Sequence, residues 1–251
     1  TPHASIEENT TWDLVSDMEK LRSHLSLDQW LIFGGSWGST LALAYATRYA
    51  NKINGMILRG IFLCRKQEID WFYEEGGEDK IGAASYMYPD QWEGYLAEIP
   101  GVKPGKMVEA YHGLLTGKNE EKKLKAALAW SKWEAATSKF INDGSLVDKF
   151  ADPYLAILFA RIECHYFFNK IFMPSDGYLL NEITKLRGLP IRIVQGRYDL
   201  VCPMKTVWEV KNALCLHDDN FRIAPMSGHS ALEPEIRSEL IQATEDFKSY
   251  F

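Results

Sequence analysis

Three residues whose types suit nucleophilic catalysis follow one another along the chain in the order serine, aspartate, histidine. Ser36 lies in the run Gly34-Gly35-Ser36-Trp37-Gly38, after apolar residues 31–33 and before a run of small residues. A serine hydroxyl becomes a nucleophile when a histidine accepts its proton and an acid orients that histidine. The chemistry that such a set performs is acyl transfer through a serine ester.

The Gly-x-Ser-x-Gly motif around Ser36 is typical of a sharp turn from a strand into a helix. Side chains at positions 34 and 38 would collide in such a turn, so we expect glycine to be needed at both Gly34 and Gly38. A helix that begins near Trp37 directs its first N–H groups at the site, where they favour a developing oxyanion. We therefore expect the backbone N–H of Trp37 to be the first oxyanion donor.

The candidate acid and base each follow a short apolar segment. Asp199 comes after residues 191–196, and His229 comes after residues 221–224. If these segments are parallel strands, both residues lie at the sheet edge where ligands bind, together with Ser36. An aspartate in a loop is more often only a turn residue, so each position alone is a weak signal. Taken together, they predict a triad in which His229 accepts the Ser36 proton and Asp199 orients the imidazole.

The order of elements predicts an α/β-hydrolase fold, a mostly parallel sheet flanked by helices. Apolar segments predict strands at 30–33, 53–58, 191–196 and 221–224, and helical spacing predicts helices at 11–25, 38–49, 204–214 and 234–250. Between them the pattern is helical only, at 66–75, 90–98, 104–116, 119–138 and 152–170, with Pro and Gly between the segments. We therefore predict a core of residues 1–63 and 186–251 and an inserted helical cap of residues 64–185.

Composition restricts the class of protein. The chain has 251 residues, 46% of them hydrophobic and 25% charged, with a net charge of −6 and no basic run for nucleic acid. We expect neither a membrane span nor a secretory signal, and no partner that is a membrane or a nucleic acid. The cysteines have neither metal nor disulfide spacing, which favours reduced thiols in a cytoplasmic protein without a metal site. They are Cys64, Cys164, Cys202 and Cys215.

Beyond these motifs, the chain resembles the proline iminopeptidase (prolyl aminopeptidase) family of α/β hydrolases. The matching runs cover almost the whole chain: residues 9–15, 34–45, 58–62, 130–134, 160–167 and 196–199. The resemblance implies a serine exopeptidase that releases N-terminal proline from peptides and needs no cofactor. Peptides that begin with proline are then the expected partners, and the oligomeric state stays open.

The resemblance also implies substrate-binding residues. Glu134 and Glu163 match two cap glutamates that hold the free amino end of the substrate, a role that suits charge-assisted hydrogen bonds to a cationic amine. From helical periodicity alone, a solvated helix face is the favoured position for each glutamate. Four further positions match residues of the substrate pocket. They are Phe62 against the proline ring, Arg59 on the same strand end, Phe72 where relatives often carry tyrosine, and the adjacent Tyr73.

The same resemblance predicts a difference before Thr1. Family members carry the first strands of the sheet there, and a His-Gly-Gly-Pro-Gly loop with the second oxyanion donor; this sequence contains no His-Gly-Gly. We therefore expect an N-terminally truncated chain that is weakly active or inactive when isolated and prone to aggregate. Loss of one oxyanion donor lowers kcat by a factor of about 10²–10³, and missing strands leave a sheet edge exposed.

Two alternatives to a prolyl aminopeptidase stay open: another capped hydrolase (an esterase or amidase), or an inactive hydrolase-like fragment that only binds peptides.

Overall fold

The structure is a computed structural model that describes residues 4–78 and 82–248. The chain divides into two compact units. The sheet unit comprises Thr10–Leu63 and Met173–Phe251, and the helical unit comprises Thr1–Asn9 and Cys64–Phe172. The helices in chain order are α1 (Thr11–His24), α2 (Trp37–Tyr49), α3 (Lys66–Tyr73), α4 (Pro89–Leu96), α5 (Met107–Thr116), α6 (Glu120–Thr137), α7 (Gly144–Phe150), α8 (Pro153–Phe168), α9 (Tyr178–Glu182), α10 (Met204–Leu214) and α11 (Pro234–Phe247).

The sheet unit is built on four parallel strands in the spatial order β1-β2-β3-β4. They are β1 (Trp30–Ser36), β2 (Ile53–Ile61), β3 (Ile191–Gly196) and β4 (Phe221–Ala224). The inner strands are buried along most of their length, as expected for a parallel sheet that helices cover on both faces. Since all four strands run in one direction, their carboxyl ends lie at one edge, and the residues that follow the strands are brought together there.

The helices of the sheet unit follow from local sequence. Helix α1 begins with a capping box, in which Asp13 N donates to Thr10 Oγ1 (3.2 Å) and Thr10 N donates to Asp13 Oδ2 (3.1 Å). Helix α11 buries its apolar face on the sheet, in a cluster that joins Ile57 and Val194 to Ile236 and Phe247. These contacts pack α11 against β2 and β3, the strands that lead to the edge with the candidate triad.

The main segment of the helical unit begins at Cys64, as the predicted cap does, and ends at Phe172, whereas the predicted cap extended to residue 185. Residues 4–9, which the prediction placed in the core, also belong to the helical unit. Residues beyond Phe172 pack in the sheet unit because α9 contacts α2 and buries Leu179. Helix α7 was not predicted; Asp143 begins it by accepting hydrogen bonds from Ser145 N (3.1 Å) and Leu146 N (3.4 Å).

Aromatic side chains form the interior of the helical unit. Trp130 and Trp133 on α6 are at most 1% exposed, and the Trp130 ring stacks on Tyr73 at a centroid distance of 4.6 Å. The buried Glu74 carboxylate accepts hydrogen bonds from Met107 N and Val108 N (both 2.7 Å), the first residues of α5. Burial raises the pKa of Glu74, and these backbone donors oppose the shift. The unit therefore fixes α6 and α8, which carry the two candidate amine-binding glutamates.

None of the helices in the described ranges has the length and apolar character that crossing a bilayer requires. Cys64, Cys164 and Cys202 are buried and Cys215 is exposed. The cytoplasmic location that the cysteine pattern favours stays a prediction.

Candidate active site

Ser36 ends β1 and α2 begins at the next residue, so the chain makes the strand-to-helix turn that the motif requires. The Ser36 backbone has φ 55° and ψ −126°, a region that residues with a side chain rarely adopt. Ser36 also occupies the N-cap position of α2, yet within the described residues its side chain makes no capping hydrogen bond. Ser39 Oγ instead donates to the Ser36 carbonyl at 2.7 Å. The Ser36 hydroxyl is therefore not used by the helix cap.

The two glycines that flank Ser36 in the motif differ in their need for glycine. A Cβ at Gly34 would lie 2.3 Å from the Gly38 carbonyl oxygen, so the backbone approach excludes a side chain there. A Cβ at Gly38 would meet open space, so the expectation that both positions need glycine was wrong for Gly38. The collision is one-sided because only the Gly34 position points at the neighbouring backbone. Trp37 is the first residue of α2, and its role as oxyanion donor stays a prediction.

Asp199 and His229 form a direct hydrogen-bonded pair. His229 Nδ1 lies 2.9 Å from Asp199 Oδ2 and 3.0 Å from Oδ1, and both residues are buried. Asp199 Oδ1 also accepts a hydrogen bond from Cys202 N (2.8 Å). An ionised Asp199 fixes the Nδ1–H tautomer of the imidazole, which leaves the Nε2 lone pair as the proton acceptor. The sheet edge thus brings together the acid and the base that the sequence predicts.

Gln195 supports this pair and was missed from the sequence. Its side chain is fully buried; Nε2 donates to Asp199 Oδ2 (3.0 Å) and to Cys202 O (2.8 Å), and Oε1 accepts from Ile61 N (3.3 Å). Backbone pairing of β2 with β3 ends at Arg59 and Val194, so the Gln195 side chain continues the connection between these strands. A polar residue within a buried strand was the signal that could have identified it.

Two further glycines allow His229 to approach the sheet. Strand β2 was predicted to end at residue 58, but it continues to Ile61 through a bulge at Gly60, which has φ +53°. A Cβ at Gly60 would lie 2.9 Å from His229 Cε1, and one at Gly196 would lie 1.9 Å from the Gly228 carbonyl oxygen. The correction to β2 has a physical reason, because a glycine bulge keeps the strand paired while it makes room for the imidazole.

Arg59 contacts the candidate base. Its Nη1 donates to the His229 carbonyl (2.9 Å) and lies 3.1 Å from His229 Nε2. Burial lowers the pKa of the Arg59 guanidinium, and the negative charge of Asp199 opposes the shift. Within the described residues, His229 Nε2 has this contact and no hydrogen bond to Ser36 Oγ.

Phe62 follows β2 and is buried. Its N–H donates to Ser39 Oγ (3.1 Å), and its carbonyl accepts a hydrogen bond from Thr40 Oγ1 (2.7 Å).

The other candidate residues form a second group, inside the helical unit. Trp130 Nε1 donates to Glu163 Oε2 at 2.7 Å, and Tyr73 OH donates to Glu134 Oε1. The rings of Tyr73 and Trp130 stack on each other, so the two donors hold the two carboxylates side by side. Phe72 is 2% exposed, and its ring packs on Trp133 at 5.2 Å. Periodicity alone favoured a solvated face for both glutamates, which was wrong for the buried Glu134, whereas Glu163 is half-buried.

The electrostatics of this group favour a cationic ligand. Burial raises the pKa of Glu163 well above its usual range, and the negative charge of Glu134 raises it further, while the hydrogen bond from Trp130 opposes the shift. Burial and Glu134 also raise the pKa of Tyr73, so its hydroxyl stays neutral and donates. Two carboxylates held together in a partly dry site bind a cation or share a proton. In the described part of the chain, His, Cys, Asp and Glu form no group of three that could hold a metal ion.

Comparisons of sequence agree on the class of this chain. A family model described as alpha/beta hydrolase fold matches residues 1–235. The chain is 51% identical to a probable proline iminopeptidase of Leptolyngbya boryana, over 98% of this chain and 74% of that protein. It is 49% identical to a proline iminopeptidase of Arabidopsis thaliana, over 99% of this chain and 63% of that protein.

Solved structures with a similar fold are α/β hydrolases of low sequence identity. A bromoperoxidase from Bacillus anthracis superposes with a TM-score of 0.61 at 15% identity, over 98% of this chain and 76% of that chain. A metagenomic α/β hydrolase from the Medee basin gives a TM-score of 0.56 at 14% identity, over 96% and 73% of the two chains. The structural matches support the fold, and the sequence matches are more specific. The chain belongs to the proline iminopeptidase family of α/β hydrolases.

Proposed function

We propose that this chain catalyses the prolyl aminopeptidase reaction, the release of N-terminal proline from peptides, with Ser36, His229 and Asp199 as the catalytic triad. The observation that carries the proposal is the Asp199–His229 hydrogen bond at the sheet edge where Ser36 makes its strained turn. The names of the relatives at 51% and 49% identity support the same reaction.

The proposed reaction has two stages. His229 Nε2 accepts the Ser36 Oγ proton while Oγ attacks the carbonyl carbon of the N-terminal proline. Asp199 holds the imidazolium in place, and the Trp37 N–H donates to the oxyanion. Collapse of the tetrahedral intermediate returns the proton to the departing peptide nitrogen and leaves a prolyl ester on Ser36. A water molecule, deprotonated by His229, then hydrolyses this acyl-enzyme and releases proline.

Recognition of the substrate end is assigned to Glu134 and Glu163. The nitrogen of an N-terminal proline is a secondary ammonium with two hydrogens, which matches two adjacent carboxylate acceptors. An internal proline has neither the charge nor the hydrogens, so the carboxylate pair selects for a free amino end. Phe62, Arg59, Phe72 and Tyr73 complete the proposed set of substrate-binding residues.

Hydrolysis of a proline arylamide, compared with a short-chain aryl ester and an N-acetylated proline arylamide, tests the proposal. Since this chain is expected to be weakly active, we expect slow turnover of the free proline arylamide, still less of the acetylated one, and none of either by Ser36→Ala. Faster ester hydrolysis with no preference for the free amine would favour a general esterase or amidase. Peptide binding without turnover, and without fluorophosphonate labelling of Ser36, would favour a fragment that only binds peptides.

A further inference from the structure

Arg59 and Ser36 compete for one nitrogen of His229. His229 Nδ1 is hydrogen-bonded to Asp199, so in the neutral ring Nε2 carries the only lone pair. Arg59 Nη1, which has no acceptor capacity, lies 3.1 Å from Nε2 and is therefore the donor in that contact. In the proposed reaction, the same lone pair must accept the Ser36 proton. One lone pair cannot accept both hydrogens, so in this structure the Nε2 lone pair of His229 is already occupied by Arg59.

Neighbouring groups hold part of the Arg59 guanidinium beside His229, but one of its N–H groups has no hydrogen-bond partner in the described residues. Arg59 and Gly35 are partners in the β1–β2 pairing, and the guanidinium lies directly over Gly35, where a Cβ would be 2.6 Å from Nη2. Its Nη1 has a second acceptor, the His229 carbonyl at 2.9 Å. Its Nε, by contrast, is buried without a hydrogen-bond partner in the described residues. A buried unpaired N–H is costly, so a ligand oxygen that satisfies it stabilises another position of the guanidinium.

We propose that Arg59 is a positioning residue that occupies the Nε2 lone pair of His229 before substrate binds and turns to a carbonyl oxygen of the bound peptide during turnover. This inference rests on the proposed function of the triad. The hydrogen bond from Nη1 to the His229 carbonyl keeps the imidazole in place while Nη1 leaves Nε2. Nε2 then accepts the Ser36 proton, and no proton leaves the guanidinium at any step.

The test compares a small phosphorylating probe with a peptide-like substrate. Diisopropyl fluorophosphate has no amine and no peptide carbonyl; Ser36 Oγ bonds to its phosphorus, fluoride leaves, and His229 takes the Ser36 proton. Because a hydrogen bond from a charged donor is stronger than one between neutral groups, releasing Nε2 in Arg59→Met should speed labelling about tenfold or more. The same variant should raise KM several-fold for a tripeptide that begins with proline, because the contact to its second carbonyl is lost. Arg59→Lys keeps the charge but not the planar guanidinium, so its labelling rate and its KM should lie between those of the wild type and of Arg59→Met.

Arg197→Met, an exposed arginine in the loop before Asp199, is the matched control and should label at the wild-type rate. If Arg59→Met does not fold, Gly35→Ala carries the test, since its methyl group displaces the guanidinium while Arg59 is retained; faster labelling is again expected. Labelling at or below the wild-type rate overturns the role of Arg59 alone. Absence of labelling in every protein, wild type included, overturns the triad and this inference with it.

Discussion

Asp199 in the sheet unit is buried and Glu163 in the helical unit is half-buried, and the two carboxylates differ in the donors that surround them. Asp199 accepts hydrogen bonds from the His229 ring, the Cys202 amide and the Gln195 side chain. Glu163 accepts one from the neutral indole of Trp130, and the charge that acts on it most strongly is that of Glu134. The first arrangement stabilises a fixed negative charge; the second leaves a negative charge that a cationic ligand would stabilise.

This difference separates two functions of buried carboxylates. Donors already in place around Asp199 keep the acid and the base in one geometry, which catalysis needs before substrate arrives. The glutamate pair is less stable with both carboxylates charged than with a proton or a cation between them. In the proposed function, the binding of the substrate ammonium relieves the repulsion that folding has left in place.

The largest effect is expected where the fixed charge is removed. Asp199→Asn keeps the size of the side chain but no longer fixes the Nδ1–H tautomer of His229, so we expect kcat to fall about 10⁴-fold. Steady-state hydrolysis of a proline arylamide measures the change, with Asp17→Asn on the exposed face of α1 as the control. A loss below tenfold would show that Asp199 is not the acid of the triad.

Neutralising either carboxylate of the glutamate pair should weaken the binding of substrate. Glu134→Gln or Glu163→Gln removes one charged acceptor for the substrate amine, which should raise KM and lower kcat/KM about 10- to 100-fold. Glu93→Gln, an exposed glutamate on α4, is the matched control. If the two variants keep wild-type kinetics, the amine is recognised elsewhere.

A smaller effect is expected at Gln195, which acts on the triad through Asp199. Gln195→Met removes the donor to Asp199 and the acceptor for Ile61 N, and we expect kcat to fall roughly tenfold with KM little changed. The exposed Gln242→Met on α11 serves as the control. A change in KM alone would contradict a role in positioning the acid.

The smallest and most diagnostic effect concerns pH. The pKa of Glu163 is raised above its ordinary value of 4.5 in the folded chain. At a pH between the ordinary pKa and the raised one, Glu163 therefore holds a proton in the folded chain and has lost it in the unfolded chain. The free energy of unfolding should therefore decrease as pH rises through that interval. Glu163→Gln should lose this decrease and have a higher Tm at neutral pH. The proline arylamide KM should rise on acidification through the same interval in the wild type only. Thermal unfolding and KM at several pH values test both expectations, and identical pH dependence in the two proteins would contradict them.

Local sequence rules were sufficient for much of this molecule. The capping box at Thr10, the turn at Ser36 and the strands that lead to Asp199 and His229 depend on neighbours in the chain, and the α/β-hydrolase fold predicted from them is confirmed by the family match. Helix α7, which begins after Asp143, was not predicted because its apolar pattern is short.

Contacts between distant segments could not be predicted in the same way. The hydrogen bond between Arg59 and His229 joins residues 170 positions apart, and the Gly60 bulge leaves room for an imidazole that comes from a distant segment. Burial of Glu134 and Glu163 depends on which faces of α6 and α8 meet Tyr73 and Trp130. Periodicity locates a helix face, but tertiary packing decides whether a charged residue on it meets water or another carboxylate.

The hydrogen bond from Ile61 N to Gln195 Oε1 makes one backbone amide a reporter on the acid of the triad. This N–H is bound to a side chain that also binds Asp199, so its exchange with deuterium requires the contact between the two strand ends to open. Slow exchange at Ile61 would mean that the acid is held between turnovers as firmly as the interior of the sheet. Exchange much faster than at Ile57, in the buried centre of the same strand, would reveal a motion of the Asp199 loop that leaves the sheet intact.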